Sequence, residues 1–288
     1  MKPILDQVIA VAARTSANPR TRLEIEAEQL ALSLPPLRAT ATLARASVDP
    51  GVHGHKRAGT GESFWQFRRF QEGDFRSDID WRASARHEHL HVREREKEAP
   101  LRFRLWWSNA HTMSYRSKRK LPYKHERAAV LLLALARLLR RGGEKVETLE
   151  GEAENPLNRA PAESRASCLI LAGDFLDVSD DLYEQMRPLA SGNATGHLLH
   201  IIDPAEEKFP FQGRTGFTNA EGAVRQILGN AEDCTHEYQN RFTRHCDRIG
   251  KIARALGWSL QRHYTDETAQ DALLQLHQRL SAPAGGMS

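Results

Sequence analysis

Apolar runs alternate with charged, helix-forming stretches along the latter two thirds of the chain, and their lengths and periods set the elements. LRFRLWWS (101–108) is dense and short, as a strand is. YKHERAAVLLLALARLLRRGG (123–143) is too long for a strand and predicts a helix, ended by Gly142 and Gly143 and complemented by arginines in its last turn. Further strands are predicted at 144–150, at 167–175 with its end at Asp174, at 196–203 and at 258–265. Helices are predicted at 179–191 with Ser179 as N-cap, at 236–257 ended by Gly257, and at 267–281. Residues 282–288 read as a flexible tail.

Several of these strands, CLIL and HLLHII among them, are almost continuously apolar. A strand buried on both faces has that composition. With helices between the strands, it predicts an α/β fold, a doubly wound, mainly parallel sheet covered on both sides. In such sheets ligands bind beyond the carboxyl ends of the strands, where the strand order reverses. The residues just past the predicted ends are 108–112, which begin with Ser108 and close with Thr112, then Glu150, Asp174, Asp203 and Asp266.

The first 48 residues read as a helical segment: 23–34 is rich in helix formers, Pro35 and Pro36 stop it, and 39–47 could form a second short helix. Residues 49–100 keep neither helical period nor alternation and are expected to be irregular with short strands. The organisation predicted is therefore 1–48 helical, 49–100 irregular or β, 101–281 an α/β domain, and 282–288 the tail.

Composition adds limits. At 288 residues the chain is one large domain or two modest ones. With 41 Lys and Arg against 37 Asp and Glu, the charge of +4 is too mild to imply an acidic partner. Cys168, Cys234 and Cys246 are odd in number and lack CxxC spacing, which suits reduced thiols in a cytosol. The longest apolar run, 128–136, is well short of the ~18 residues of a membrane span. Asp6 and Gln7 interrupt the opening apolar stretch, so no signal peptide is expected; the chain is read as cytoplasmic and membrane-free.

Several motifs invite chemistry and are read more plainly. HEHLH (87–91) matches HExxH, but zinc chemistry needs a helix, and Leu90 and Val92 alternate with His87, His89 and His91 as on a strand. GTGES (59–63) lacks a third glycine and precedes the sheet, so it is no nucleotide loop. HKRAGTGESFWQFRRF (55–70) mixes cations and aromatics as nucleic-acid surfaces do. Acidic Glu72, Asp74, Asp78 and Asp80 follow so closely that charge balance around core aromatics is the simpler reading. SKRK (117–120) reads as a solvated loop.

The segment 67–98 carries a sharper signature: Arg68 or Arg69, Phe70, Gly73, Asp74, Ile79, Asp80, Trp81, Ser84, Ala85 and Arg86, with Gly59, Gly61 and Phe64 upstream. It resembles the domain of unknown function 58 family, in particular short bacterial members without membrane helices, as do 203–217 and 257–267; the resemblance covers most of 49–281. It implies a von Willebrand factor A-like fold and a non-enzymatic partner or adaptor of MoxR-type AAA+ ATPases, whose genes often lie alongside. It also implies a place for Mg²⁺, which such domains hold through D-x-S-x-S and a later Asp. The matching positions are Ser108, Ala110 and Thr112, with Asp174 as the later acid; Ser108 and Ala110 depart from the pattern, so the site is expected to be degenerate. Gly73, Asp74, Asp80, Trp81 and Arg86 are expected to form a docking face or a brace, with Asp74 or Asp80 paired to Arg86 and Trp81 as anchor. The alternatives are a metal-dependent hydrolase using Asp174, Thr112 and the histidines, and a nucleic-acid-binding module through 53–76 and 116–120.

Overall fold

The structure, a computed structural model, describes residues 18–38, 58–71, 77, 79–85, 89–96, 101–151, 167–176, 182–191, 195–218 and 225–281. It divides into two compact units, Met1–Ser47 with Leu101–Ser288, and Val48–Pro100.

The larger unit is built on five strands: β3 (Arg102–Ser108), β4 (Lys145–Gly151), β5 (Ser167–Gly173), β6 (Thr195–Ile202) and β9 (Ser259–Tyr264). They lie in the order β4-β3-β5-β6-β9, and every neighbouring pair is parallel. The α/β class with a parallel sheet is thus the one the apolar runs imply. Because side chains alternate across a strand, two separate cores result. Phe103, Leu105, Trp107, Ile170, Ala172, Leu199 and Ile201 meet α3 (Lys124–Arg141) and α7 (Ala269–Ser281) on one face. Trp106, Leu169, Leu171 and Leu198 meet α4 (Leu182–Ser191) and α6 (Thr235–Ala255) on the other.

The N-terminal helix α1 (Pro19–Leu32) belongs to the first core, since Ala27 and Ala31 are fully buried within it. After Pro35 and Pro36 the chain runs so close to the end of α3 that the Leu37 amide donates to the Leu138 carbonyl at 3.0 Å. A Cβ on Gly142 would stand 1.8 Å from the Leu37 oxygen, which is why α3 must end on glycine there. The predicted second helix at 39–47, the N-cap Ser179 and the tail lie outside the described residues.

Two features of this unit have no counterpart in the predicted elements. A short helix α5 (Pro204–Lys208) follows β6, and a hairpin pairs β7 (Thr215–Thr218) with β8 (Arg225–Leu228). Strands of four residues are too short to show a period. No helix among the described residues is long and apolar enough to cross a membrane.

In the smaller unit β1 (Ala58–Arg69) pairs antiparallel with β2 (His91–Glu96), and a short helix α2 (Trp81–Ser84) lies between them in sequence. β1 is 12 residues long, not a short strand. Its register slips between Gly59 and Phe64 and again before Gln66, and those irregularities erase the alternation that reveals a strand.

Gly196, the second residue of β6, lies against Trp258, with indole carbons 2.0–2.3 Å from where a Cβ would sit. Trp258 is buried in the second core and cannot swing away. Gly196→Ala is therefore expected to lower stability by about 1–3 kcal/mol, read as a fall in the thermal midpoint.

Candidate functional site

Counted in chain order, the sheet strands run 2-1-3-4-5, so the order reverses between β3 and β5, the position where α/β sheets present ligand crevices. Ser108 ends β3 and Asp174 follows β5, and the register pairs Trp107 with Ala172. A Cβ on Gly173 would stand 3.3 Å from that of Ser108, so the two strand ends converge. Ser108 and Asp174 are both buried, and Thr112 is half-buried in the 3-10 turn His111–Met113 that follows. Of the other strand-end acids, Asp203 is fully buried and Asp266 is exposed.

The polar atoms of Ser108 and Asp174 at this reversal are engaged by other groups of the protein. Ser108 Oγ accepts from the Ala110 amide at 3.2 Å. Asp174 Oδ1 accepts from the Leu176 amide at 3.2 Å, Oδ2 from Lys124 Nζ at 2.8 Å, and the Asp174 carbonyl from His245 Nε2 at 2.8 Å. The turn is completed by Phe175 at φ 55, a left-handed conformation that costs a non-glycine residue of order 1–3 kcal/mol. Burial of its ring holds it there.

Lys124 is the residue the pattern of strand ends does not reveal. It opens α3, and its side chain is completely buried. The ammonium also donates to Glu206 Oε1 at 2.5 Å, while Glu206 Oε2 accepts from the Asp203 amide at 2.7 Å. Asp203 caps α5 by accepting from the Ala205 amide at 2.9 Å, and its second oxygen accepts from the Ser117 amide at 2.8 Å. Burial works against the Lys124 charge, but Asp174 and Glu206 outweigh it, and the pKa lies above the ordinary lysine value. Burial raises the Glu206 pKa despite the opposing pull of Lys124. Tyr115 and Tyr238 are pushed up to about 12, chiefly by burial and then by the nearby acids Asp203 and Glu206.

These residues do not fit a Mg²⁺ site. Such an ion needs six oxygens at about 2.0–2.1 Å. Here position 110 is alanine, Ser108 Oγ is bonded to a backbone amide, and both Asp174 oxygens are engaged, one by an ammonium. Among the described residues no group of three or more His, Cys, Asp and Glu is placed to hold a metal ion.

The structure divides the remaining candidates. Gly73, Asp74, Arg86 and His87 lie outside the described residues, and with them any pairing to Arg86. Trp81, the expected anchor of that network, is 63% exposed. The buried member is Ser84, whose Oγ donates to the Asp80 carbonyl and accepts from the His91 amide, both at 2.8 Å. The Asp80 amide in turn donates to the His91 carbonyl at 2.9 Å, and Ile79 bridges Val92. The I-D-W-x-x-S part of the signature therefore ties α2 to β2. Of the histidines expected to alternate along a strand, His87 is outside the described residues, His89 precedes β2, and His91 opens it, its Nδ1 donating to the His89 carbonyl at 2.8 Å. In the basic loop, the Arg116 guanidinium lies 4.2 Å from the Tyr123 ring centroid, and Lys118, Arg119 and Lys120 are exposed.

The comparisons with known proteins bear on the segment that runs from the signature to the crevice. A family model described as "Protein of unknown function DUF58" matches residues 66–167. Over that span the chain is similar to the DUF58 family. The DUF58 match is narrower than the resemblance over 49–281: it begins within β1 and ends on the first residue of β5. It includes Ser108, Thr112 and Lys124 and stops short of Asp174, Asp203 and Glu206. No curated protein matches the chain. Among solved structures, that of the conserved hypothetical protein BatB from Bacteroides thetaiotaomicron is similar at 15% identity and TM-score 0.39, over 62% of this chain and 98% of that one.

Histidines near the crevice and along the sheet set an acid limit. Burial lowers His200 to about 3, with His245 adding to it, and lowers His197 and His263 to about 4. Unfolded, each titrates near 6.5, so as the pH falls below that value the unfolded chain takes up protons that the folded chain refuses. Stability is therefore complete above pH ~6.5 and falls toward pH ~4 by about 1.4 kcal/mol per pH unit for each such histidine. Thermal midpoints measured across that range are expected to drop steadily, and His200→Leu to shallow the slope.

Proposed function

We propose that the chain is a non-enzymatic interaction module with a von Willebrand A-like crevice, acting with a MoxR-type AAA+ ATPase in assembly or regulation. The observation that carries this reading is the commitment of the crevice's polar groups to internal hydrogen bonds, from Ser108 through Asp174 and Glu206 to Asp203. Catalytic groups need lone pairs or protons available to substrate; these are turned on one another. What remains outward at the same end of the sheet suits protein contact. Leu176 is 49% exposed directly after the Asp174 turn, and Lys118, Arg119 and Lys120 are exposed on the loop after β3. An exposed apolar residue after one strand end and exposed cations on the loop after another fit an acidic protein surface with a small hydrophobic recess.

The test is co-purification of the full chain with the MoxR-type ATPase of its source organism, in ATP, ADP and nucleotide-free buffers. A complex is expected in at least one nucleotide state. Leu176→Asp combined with Arg119→Glu should weaken it at least tenfold, about 1.4 kcal/mol or more, without lowering the thermal midpoint. Absence of a complex in every state removes the reading.

A further inference from the structure

A buried lysine at the start of a helix is out of place. The N-terminus of α3 carries the positive end of the helix dipole, where a cation is disfavoured. Burial adds a desolvation penalty, and the Lys124 side chain has no exposure at all. Both terms work against this residue. They are offset by two carboxylates that come from different parts of the chain: Asp174 follows β5, and Glu206 lies in α5 after β6. One ammonium therefore fastens three segments that converge where the strand order reverses. A structural divalent cation acts in this way, gathering acidic side chains from separate loops around a single point of positive charge.

The ammonium also excludes such a cation. Nζ stands 2.8 Å from Asp174 Oδ2 and 2.5 Å from Glu206 Oε1. A Mg²⁺ ion bonded to those oxygens would sit about 2.0–2.1 Å from each, and Ca²⁺ about 2.3–2.6 Å. Either ion would fall within the volume that Nζ fills, so occupation by lysine and by metal are alternatives. The charges agree with this. One positive charge already serves two acids, and Asp203, the third acid nearby, is satisfied by the amides of Ser117 and Ala205. The Nζ also lies 6.0 Å from the Tyr115 ring centroid, and the Lys124 amide donates to the Tyr115 carbonyl at 3.3 Å, so the loop after β3 is tied to the same residue at its backbone.

We infer that the Lys124 ammonium is the resident cation of this crevice, a covalently tethered replacement for a divalent ion, so that the closed arrangement of the strand-end turns is independent of metal and depends on this one positioning residue. This assignment goes beyond the adaptor reading and does not rest on it.

The experiment uses the full chain alone, so its outcome is separate from that of the ATPase co-purification. For the wild type, thermal midpoints in EDTA and in millimolar MgCl₂ are expected to coincide, and millimolar Mn²⁺ is expected to keep its free-ion electron paramagnetic resonance signal. Saturable Mn²⁺ binding by the wild type, lost in Asp174→Asn, overturns the inference. Lys124→Ala is expected to lower the midpoint. Ethylammonium, which restores an ammonium to the vacated space, or Mn²⁺, which the released carboxylates can then bind, should recover half or more of the loss. Neither should rescue Lys124→Ala combined with Asp174→Asn. Lys124→Met keeps the length of the side chain without its charge; it should be destabilised as well and gain nothing from ethylammonium. A Lys124→Met protein as stable as wild type, or a Lys124→Ala protein that neither cation restores, shows that packing and not charge is what the residue supplies, and the inference fails. If Lys124→Ala does not fold, the wild-type Mn²⁺ titration and Lys124→Met decide.

Discussion

The carboxyl end of the sheet depends on the contact of one buried ammonium with two carboxylates. Pairs of this kind contribute little when compared with an apolar replacement, but breaking one by removing a single partner costs about 3–5 kcal/mol, because a charge is left buried without compensation. In this molecule the partners sit on α3, on the turn after β5 and on the short helix after β6. The contact thus fixes turns that the sheet hydrogen bonds do not reach. It also accounts for the internal direction of nearly every polar group around it, since each carboxylate oxygen that does not face Lys124 accepts from a backbone amide.

Backbone strain is placed to match. Phe175 and Phe209 are the two non-glycine residues with left-handed backbone among those described, and each lies within three residues of one of the acids, Asp174 and Glu206. Phe209 is held in a ring cluster with Phe211, Phe217 and Tyr238, and Phe175 by the second core. Aromatic burial keeps the two bends that aim the carboxylates inward, so the hydrophobic and ionic parts of the crevice stabilise each other.

The sheet was legible because parallel strands buried on both faces leave long apolar runs, and 101–108, 167–175 and 196–203 fall on β3, β5 and β6 with only end residues displaced. Strand ends then located Ser108, Asp174 and Asp203. Lys124 was hidden because a lysine at a helix start is ordinarily solvated; its misfit to the helix dipole was the available signal. Glu206 could have been found as the fourth residue of the D-P-A-E capping box that begins with Asp203. β1 was obscured by its register slips; Ser84 stood in the signature, but its hydroxyl's role as the bridge between the Asp80 carbonyl and the His91 amide was not readable from sequence.

The seating of α1 has a consequence for how the chain can be divided. Ala27 and Ala31 are small enough to let the helix lie against α3, and Leu37 bonds directly to the last turn of α3. A fragment cut to the matched residues, 66–167, would lose this covering helix and would also strip β3 of β5, its partner on one side. The matched segment and the folding unit therefore do not coincide: residues 66–167 are an inner slice, and a chain trimmed to them would expose apolar surface on two sides and aggregate.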